Sequence, residues 1–299
     1  MRHPVSDIAV AVYAQFLSPD ATLEESRAGF DRIGAEPPAH VVVTETEVGG
    51  VPGRWVQPPE ADAATILHFH AGGYVMGSSY GHRALGAWYA EAAGARVLLP
   101  DYRLAPEHPY PAALDDALAA YRALVDDGVD PARLVVSGDS AGGGLALALV
   151  LALRDAGDPL PAGVVTMSPF ADLSLSGDSM EARAALDPLV AEETLGQCAA
   201  AYLQHGEDPA DPRVSPVFAD YAGFPPMLMQ VGTSEVLQDD TLRIAEKARS
   251  IGVDVTLQVG YQMVHIYQMF ADRDDVPEAR RDLEAAGAFV RAVAGAVTA

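Results

Sequence analysis

A chain of 299 residues, 49% hydrophobic and 20% charged, has ample material for a buried core, so disorder is excluded as its dominant state. The net charge of −23, from 42 acidic against 19 basic residues, works against nucleic acid and anionic membrane as partners, because both would be repelled. The single cysteine, Cys198, excludes an intrachain disulfide and removes any need for an oxidising compartment, so the expected location is cytoplasmic.

The opening segment MRHPVSDIAVAVYAQFL carries Asp7 inside its apolar part and has no small-residue cleavage site. It reads as a helix and not as a signal peptide. The longest apolar run, 145–153, is about half of the roughly 20 residues that a membrane span needs. Two runs at 41–47 and 53–57, separated by Gly-Gly-Val-Pro, predict an antiparallel hairpin at a sheet edge. Short aliphatic or β-branched runs at 64–68, 96–99, 134–136, 163–167, 227–231 and 253–259 read as strands. Helical patterns fall at 82–93, 111–127, 141–155, 188–203, 238–251 and 279–294. Strand and helix in alternation predict an α/β fold, a mostly parallel sheet with helices on both faces. The expected organisation is an N-terminal helical cap segment over 1–40 and a main α/β domain over 41–299 with a cap insertion at about 172–205. Both caps would fold over the carboxyl edge of the sheet, where open α/β sheets bind ligands.

Gly138-Asp139-Ser140-Ala141-Gly142 fits G-x-S-x-G, the sharp strand-to-helix turn that pushes one serine out over a sheet. An apolar strand enters it and an alanine- and leucine-rich helix leaves it, which makes Ser140 the candidate nucleophile. Gly77-Ser78-Ser79-Tyr80-Gly81 matches the same pattern but follows a glycine loop, so Ser79 is a formal match only. After the strand ATILH come His70-Ala71-Gly72-Gly73-Tyr74. Acyl transfer needs backbone N–H donors aimed at a developing oxyanion, and Gly72, Gly73 and Ala141 are the candidates. The His68-x-His70 pair raises the question of a metal. No further His or Cys stands at ligand spacing, so no metal is expected and His70 is read as holding the loop.

A serine nucleophile needs a base oriented by a third group, in the chain order Ser, Asp or Glu, His. Two histidines follow Ser140. His205 ends a cap-like helix, whereas His265 lies beyond the last strand, where a catalytic loop belongs. Glu235 is the first carboxylate after the strand PMLMQVG; Asp239 and Asp240 are rivals, one helical turn further on where carboxylates often cap helices. Asp187, in Leu-Asp-Pro-Leu, is assigned to the cap insertion.

The ordered set HAGGY (70–74), DYRLAPEHPYPAALDD (101–116), GDSAG (138–142), SPFADLSLSG (168–177) and DPRVSP (211–216), with the acid and histidine segments, resembles the bacterial hormone-sensitive-lipase family of α/β-hydrolase carboxylesterases, in its GDSAG subgroup. The resemblance covers nearly the whole chain. It implies an α/β-hydrolase fold, with an eight-stranded, mostly parallel sheet under a helical cap. It also implies cofactor-independent hydrolysis of short- to medium-chain acyl esters, or in some branches lactones, with a homodimer as an assembly state. The apolar strand at 253–259 offers an edge for such pairing. Two departures stand out. Ala71 replaces the first glycine of HGGG, and Glu235 replaces a DPL-type aspartate. Tyr74 and Met76, with Tyr13 and Phe16 of the N-terminal segment, are expected to line the substrate pocket. Arg103, Glu107 and His108 are expected to tie loops beneath the site. The same residues would also serve acyl transfer or elimination; a small-molecule receptor is the further alternative, since some relatives of this fold bind small molecules after losing a triad member, whereas this chain keeps Ser140, Glu235 and His265.

Overall fold

The computed structural model describes residues 3–16, 18, 20–61 and 64–295. Two helices open it, α1 (Pro4–Phe16) and α2 (Leu23–Phe30). Thr22 starts α2 with a reciprocal capping box, its hydroxyl taking the Glu25 N–H while the Glu25 carboxylate takes its own. A hairpin of β1 (Val42–Val48) and β2 (Val51–Gln57) follows. Its turn is shorter than expected. Gly49 and Gly50, at φ +63° and +78°, form a two-residue turn of the mirror-image kind that matches strand twist. Val51 and Pro52 therefore belong to β2. The proline is tolerated because pairing with the next strand of the sheet begins only at Gly53.

The remaining elements alternate: β3 (Thr65–Phe69), α3 (Arg83–Ala93), β4 (Arg96–Pro100), α4 (Ala112–Asp126), β5 (Leu134–Asp139), α5 (Ala141–Ala156), β6 (Gly163–Met167), α6 (Ser179–Ala182), α7 (Glu192–Tyr202), β7 (Met227–Gly232), α8 (Gln238–Ser250), β8 (Val255–Gly260) and α9 (Pro277–Ala294). The eight strands form one sheet in the order β1-β2-β4-β3-β5-β6-β7-β8. Only the pairings of β1 with β2 and β2 with β4 are antiparallel. Strands β3, β5, β6 and β7 are buried along their whole length, as a sheet covered on both faces requires. Alternate strand residues feed two separate cores. Leu67, Val136 and Met229 pack with α4, α5 and α8 on one face; Ile66, Val135 and Leu228 pack with α3 and α9 on the other. Strand β8 closes the sheet as its outer strand, with Val259 and Tyr261 exposed.

In the stretch at 172–205 the expected helix at 188–203 is present, shortened, while the part before it is mostly turns. The stretch contains the single turn of α6, a turn-rich segment, and then α7. Among the described residues, no helix is long and apolar enough to cross a membrane.

Candidate active site

Ser140 stands between β5 and α5 at φ +51°, ψ −121°, a backbone state that costs an L-residue about 1–3 kcal/mol and persists only where its surroundings hold it. The holding bonds are visible. Ser140 N–H donates to the Met167 carbonyl (3.0 Å), and the Ser140 carbonyl accepts from Phe170 (2.8 Å) and Gly144 (3.1 Å). The turn is thereby fastened to the end of the neighbouring strand. Gly142 is needed because a Cβ there would run into the Phe69 carbonyl.

The glycine loop leaves β3 beside it. Gly72 and Gly73 have φ of +128° and +62°. A Cβ on Gly72 would meet the Met76 carbonyl. Ala71 keeps an ordinary negative φ, which is why alanine is accepted where the resembling family has its first glycine. His70 holds the loop: its Nδ1–H donates to the Ala71 carbonyl (2.8 Å) and its ring stacks on Tyr102 at 4.2 Å. Burial, helped by neighbouring His82, pulls the His70 pKa down to about 3, so it is neutral. His68 lies in the same buried cluster, with its Nε2 against Asp139 (3.1 Å), and His82 flanks the other carboxylate oxygen (3.2 Å). Burial works to raise the Asp139 pKa, but the two imidazoles outweigh it and hold the carboxyl well below its usual range. Among the described residues, no group of three or more His, Cys, Asp or Glu is arranged to hold a metal. The N–H groups of Gly72, Gly73 and Ala141 have no hydrogen-bond partner among the described residues. That of Ala141 is one of the free donors at a helix start.

His265 lies on the loop after β8 and hydrogen-bonds through Nδ1 to Glu235 Oε2 at 3.0 Å. Glu235 is fully buried. Its other oxygen accepts from the Gly232 N–H and from the Ser168 hydroxyl (2.9 Å). Burial works to raise the carboxyl's pKa, and these donors work against it. For His265, burial works downward, but the bond to Glu235 and its charge, with Asp187 and Asp139 behind, outweigh it and hold the imidazole above its ordinary value. With Nδ1–H given to Glu235, Nε2 is the free basic nitrogen. Ser140, His265, Gly72, Gly73 and Ala71 line one cavity of about 150 Å³, below the roughly 300–1,000 Å³ of drug-sized sites.

Neither rival acid reaches His265. Asp239 accepts from the Ser179 N–H (2.9 Å), and Asp240 from those of Ala171 and Asp172 (2.8 and 2.9 Å). His205 is exposed. Ser79 is buried, donates to Asp101 (2.8 Å) and accepts from Arg54 (2.6 Å), which is the bonding of a structural serine. Arg103 bonds Asp116 and the Ala112 carbonyl, and Glu107 takes both ends of the Arg27 guanidinium, so these two residues tie loops together.

The expected pocket needs correction. Met76 and Tyr13 line the cavity, but Tyr74 does not. Its ring is buried and stacked at 4.1 Å on Tyr202, the last residue of α7. Phe16 is also absent from the lining; its ring lies under the Arg32 guanidinium at 5.5 Å, and Phe30 of α2 takes the place at the cavity. Leu189, Val190, Leu195 and Cys198, which nothing in the sequence singles out, form the side of the wall contributed by the 172–205 insertion. Ser168 is a further such residue: its positive φ of +49° in the SPF motif aims its hydroxyl at Glu235. Asp187 is more than a cap residue. One of its oxygens takes the N–H groups of Leu189 and Val190 (3.0 Å each), and the other takes that of Val236 (3.0 Å), so the 172–205 insertion is pinned to the loop that bears Glu235.

Sheet order, strained turn and cavity together define the α/β-hydrolase class. A family model described as alpha/beta hydrolase fold matches residues 66–269. An acetyl-hydrolase of Streptomyces hygroscopicus is 43% identical over 272 residues, 91% of this chain and 88% of that one. An esterase of Acinetobacter venetianus is 39% identical over 230 residues, 77% of this chain and 76% of that one. The crystal structure of an esterase from the bacterial hormone-sensitive lipase family superimposes with a TM-score of 0.94 at 39% identity, over 99% of this chain and 100% of that one. The chain belongs to the α/β-hydrolase family, in its bacterial hormone-sensitive-lipase branch.

Proposed function

We propose that the protein is a serine carboxylesterase that cleaves short-chain acyl esters, with small lactones as a further substrate class, through an acyl-enzyme on Ser140. The observation that carries this is the meeting, in one small cavity, of Ser140 on a strained turn, a His265 whose Nδ1 is committed to Glu235, and the unpartnered N–H groups of the glycine loop. Relatives named acetyl-hydrolase and esterase support the reading. Its mechanism follows from these groups. His265 Nε2 takes the Ser140 proton as Oγ attacks the ester carbonyl. The carbonyl electrons move onto oxygen, which the Gly72, Gly73 and Ala141 N–H groups bind. Collapse breaks the bond to the alkoxy oxygen, which leaves with the proton from His265. Water then attacks the acyl-enzyme by the same route in reverse, and Glu235 holds the imidazolium throughout. No cofactor is called for.

The test is a series of p-nitrophenyl esters from acetate to decanoate beside a panel of lactones. A cavity of about 150 Å³ predicts that kcat/KM peaks at short chains and falls with length. A folded wild type that is inert on the whole panel would overturn the reading and return the receptor alternative. Release of acyl product to an added alcohol at the expense of water would make the protein a transferase.

Nε2 must be unprotonated to accept the Ser140 proton, and the His265 pKa is raised. Hence kcat/KM should fall about tenfold per pH unit below a midpoint that lies above the ordinary imidazole value of about 6.5. Rates measured between about pH 5 and pH 9 check it; a plateau already reached near pH 6 would contradict the raised base.

A further inference from the structure

We propose that the Tyr13 hydroxyl is a specificity element of this site, a hydrogen-bond donor that recognises a neutral oxygen carried by the alcohol part of the ester. Esters of alkoxylated or hydroxylated alcohols would then be preferred to plain alkyl esters of equal size. The proposal rests on the serine-esterase reading and narrows its substrate class.

Helix α1 brings Tyr13 into the wall of the cavity that Ser140 and His265 share. Apart from the catalytic edge and Thr194, that wall is formed by side chains such as Phe30, Met76, Leu189 and Ile266, which offer a substrate no polar contact. The Tyr13 hydroxyl has no hydrogen-bond partner among the described residues. Tyr13 is half-buried, so in the free enzyme its hydroxyl can meet only water at the mouth of an otherwise apolar wall. A substrate oxygen would supply the acceptor.

The charge of that oxygen follows from the neighbours. Burial, then the carboxylates of Asp139 and Asp187, hold the phenol well above the usual tyrosine range. Tyr13 is therefore a donor wherever the enzyme works, and the same carboxylates disfavour an anionic acceptor. An ether, hydroxyl or carbonyl oxygen fits.

The side of the ester follows from the packing. Tyr13 and Leu189 pack on the core that contains Met263 and Val264, the residues leading into His265. Met76, Val190 and Cys198 pack on or within the opposite core, with Val75 of the glycine loop. His265 must hand its proton to the departing alkoxide, so the alcohol part lies along the wall that Tyr13 belongs to.

Two isosteric ester pairs test this, with wild type and Tyr13→Phe compared by titration of released acid. Butyl acetate and methoxyethyl acetate differ by one ether oxygen in the alcohol. Methyl pentanoate and methyl β-methoxypropanoate differ by the same change in the acyl group. Intrinsic leaving-group differences cancel when the kcat/KM ratio within each pair is compared between the two proteins. The ether-over-alkyl ratio of the alcohol pair is expected to drop about three- to tenfold in Tyr13→Phe, as loss of one net hydrogen bond predicts, with the acyl-pair ratio unmoved. An unchanged alcohol-pair ratio, or a drop confined to the acyl pair, would overturn the proposal while leaving the esterase reading intact. A wild type inert on all four esters would overturn both. Tyr13→Leu, which also removes the ring, serves as the second variant should Tyr13→Phe melt early, and must move the ratio in the same direction.

Discussion

Ser140→Ala is expected to lower kcat on p-nitrophenyl acetate by about 10⁴- to 10⁶-fold, with KM little changed. In the proposed mechanism the hydroxyl forms the acyl bond, and removing it leaves the N–H donors and the cavity in place. Some rate above water should therefore survive, because oxyanion binding alone retains about 10³-fold. The turn itself should survive too. Its three backbone bonds to Met167, Phe170 and Gly144 do not involve the side chain, and alanine bears the positive φ about as poorly as serine. Thermal melting should thus stay near wild type while turnover collapses. Ser79→Ala makes the contrast. It deletes two bonds, to Asp101 and from Arg54, so it should lower the melting temperature and leave the chemical step in place. A Ser140→Ala enzyme that kept wild-type kcat would remove the nucleophile from the mechanism.

Much of this site is legible in the chain because its chemistry is local. The strained turn needs small residues within a few positions of Ser140, and the glycine loop needs Gly72 and Gly73 directly after a strand. Both demands leave contiguous signatures. The sheet was legible for a similar reason: β3, β5, β6 and β7 are short aliphatic runs between turn residues, and burial on both faces permits little else. What stayed hidden depends on contacts between distant segments. Tyr74 looks like a pocket residue until Tyr202, on α7, stacks against it. Phe30 and Phe16 are indistinguishable by composition, and only the seating of α2 selects Phe30. Asp187 lies 49 residues before the Val236 N–H that it accepts from, so no spacing rule links them. Within the 172–205 insertion the expected helix is present as α7, but the stretch before it, one turn of helix and a run of side-chain-capped turns, carries no periodicity to read.

Glu235→Gln is expected to lower kcat by about 10³- to 10⁴-fold, and the reason is proton placement rather than lost charge alone. The two carboxylate oxygens have different duties. Oε2 accepts His265 Nδ1–H, while Oε1 accepts the Gly232 N–H and the Ser168 hydroxyl. A buried carboxamide has one acceptor and one donor, so it fails one of the two. With its oxygen toward His265, its NH₂ meets the Gly232 N–H, a donor against a donor at a fully buried position. With its NH₂ toward His265, the imidazole is driven to the tautomer that carries its proton on Nε2, facing Ser140, where it can accept nothing. The hydroxyl of Ser168 can rotate to suit either state, but the backbone N–H of Gly232 cannot, so the second arrangement should prevail. Removing the carboxylate also removes what raises the His265 pKa, so the acid limb of the residual activity should move to lower pH. Asp240→Asn separates the rivals. Burial, with Asp172 nearby, already pushes the Asp240 pKa up to about 8, and its bonds come from the Ala171 and Asp172 N–H groups, so an amide oxygen can replace it. Its kcat should stay within about fivefold of wild type. Wild-type turnover in Glu235→Gln together with collapse in Asp240→Asn would move the acid to the helix start. The reverse pattern, joined by the shifted acid limb, would tie Glu235 to the base it orients.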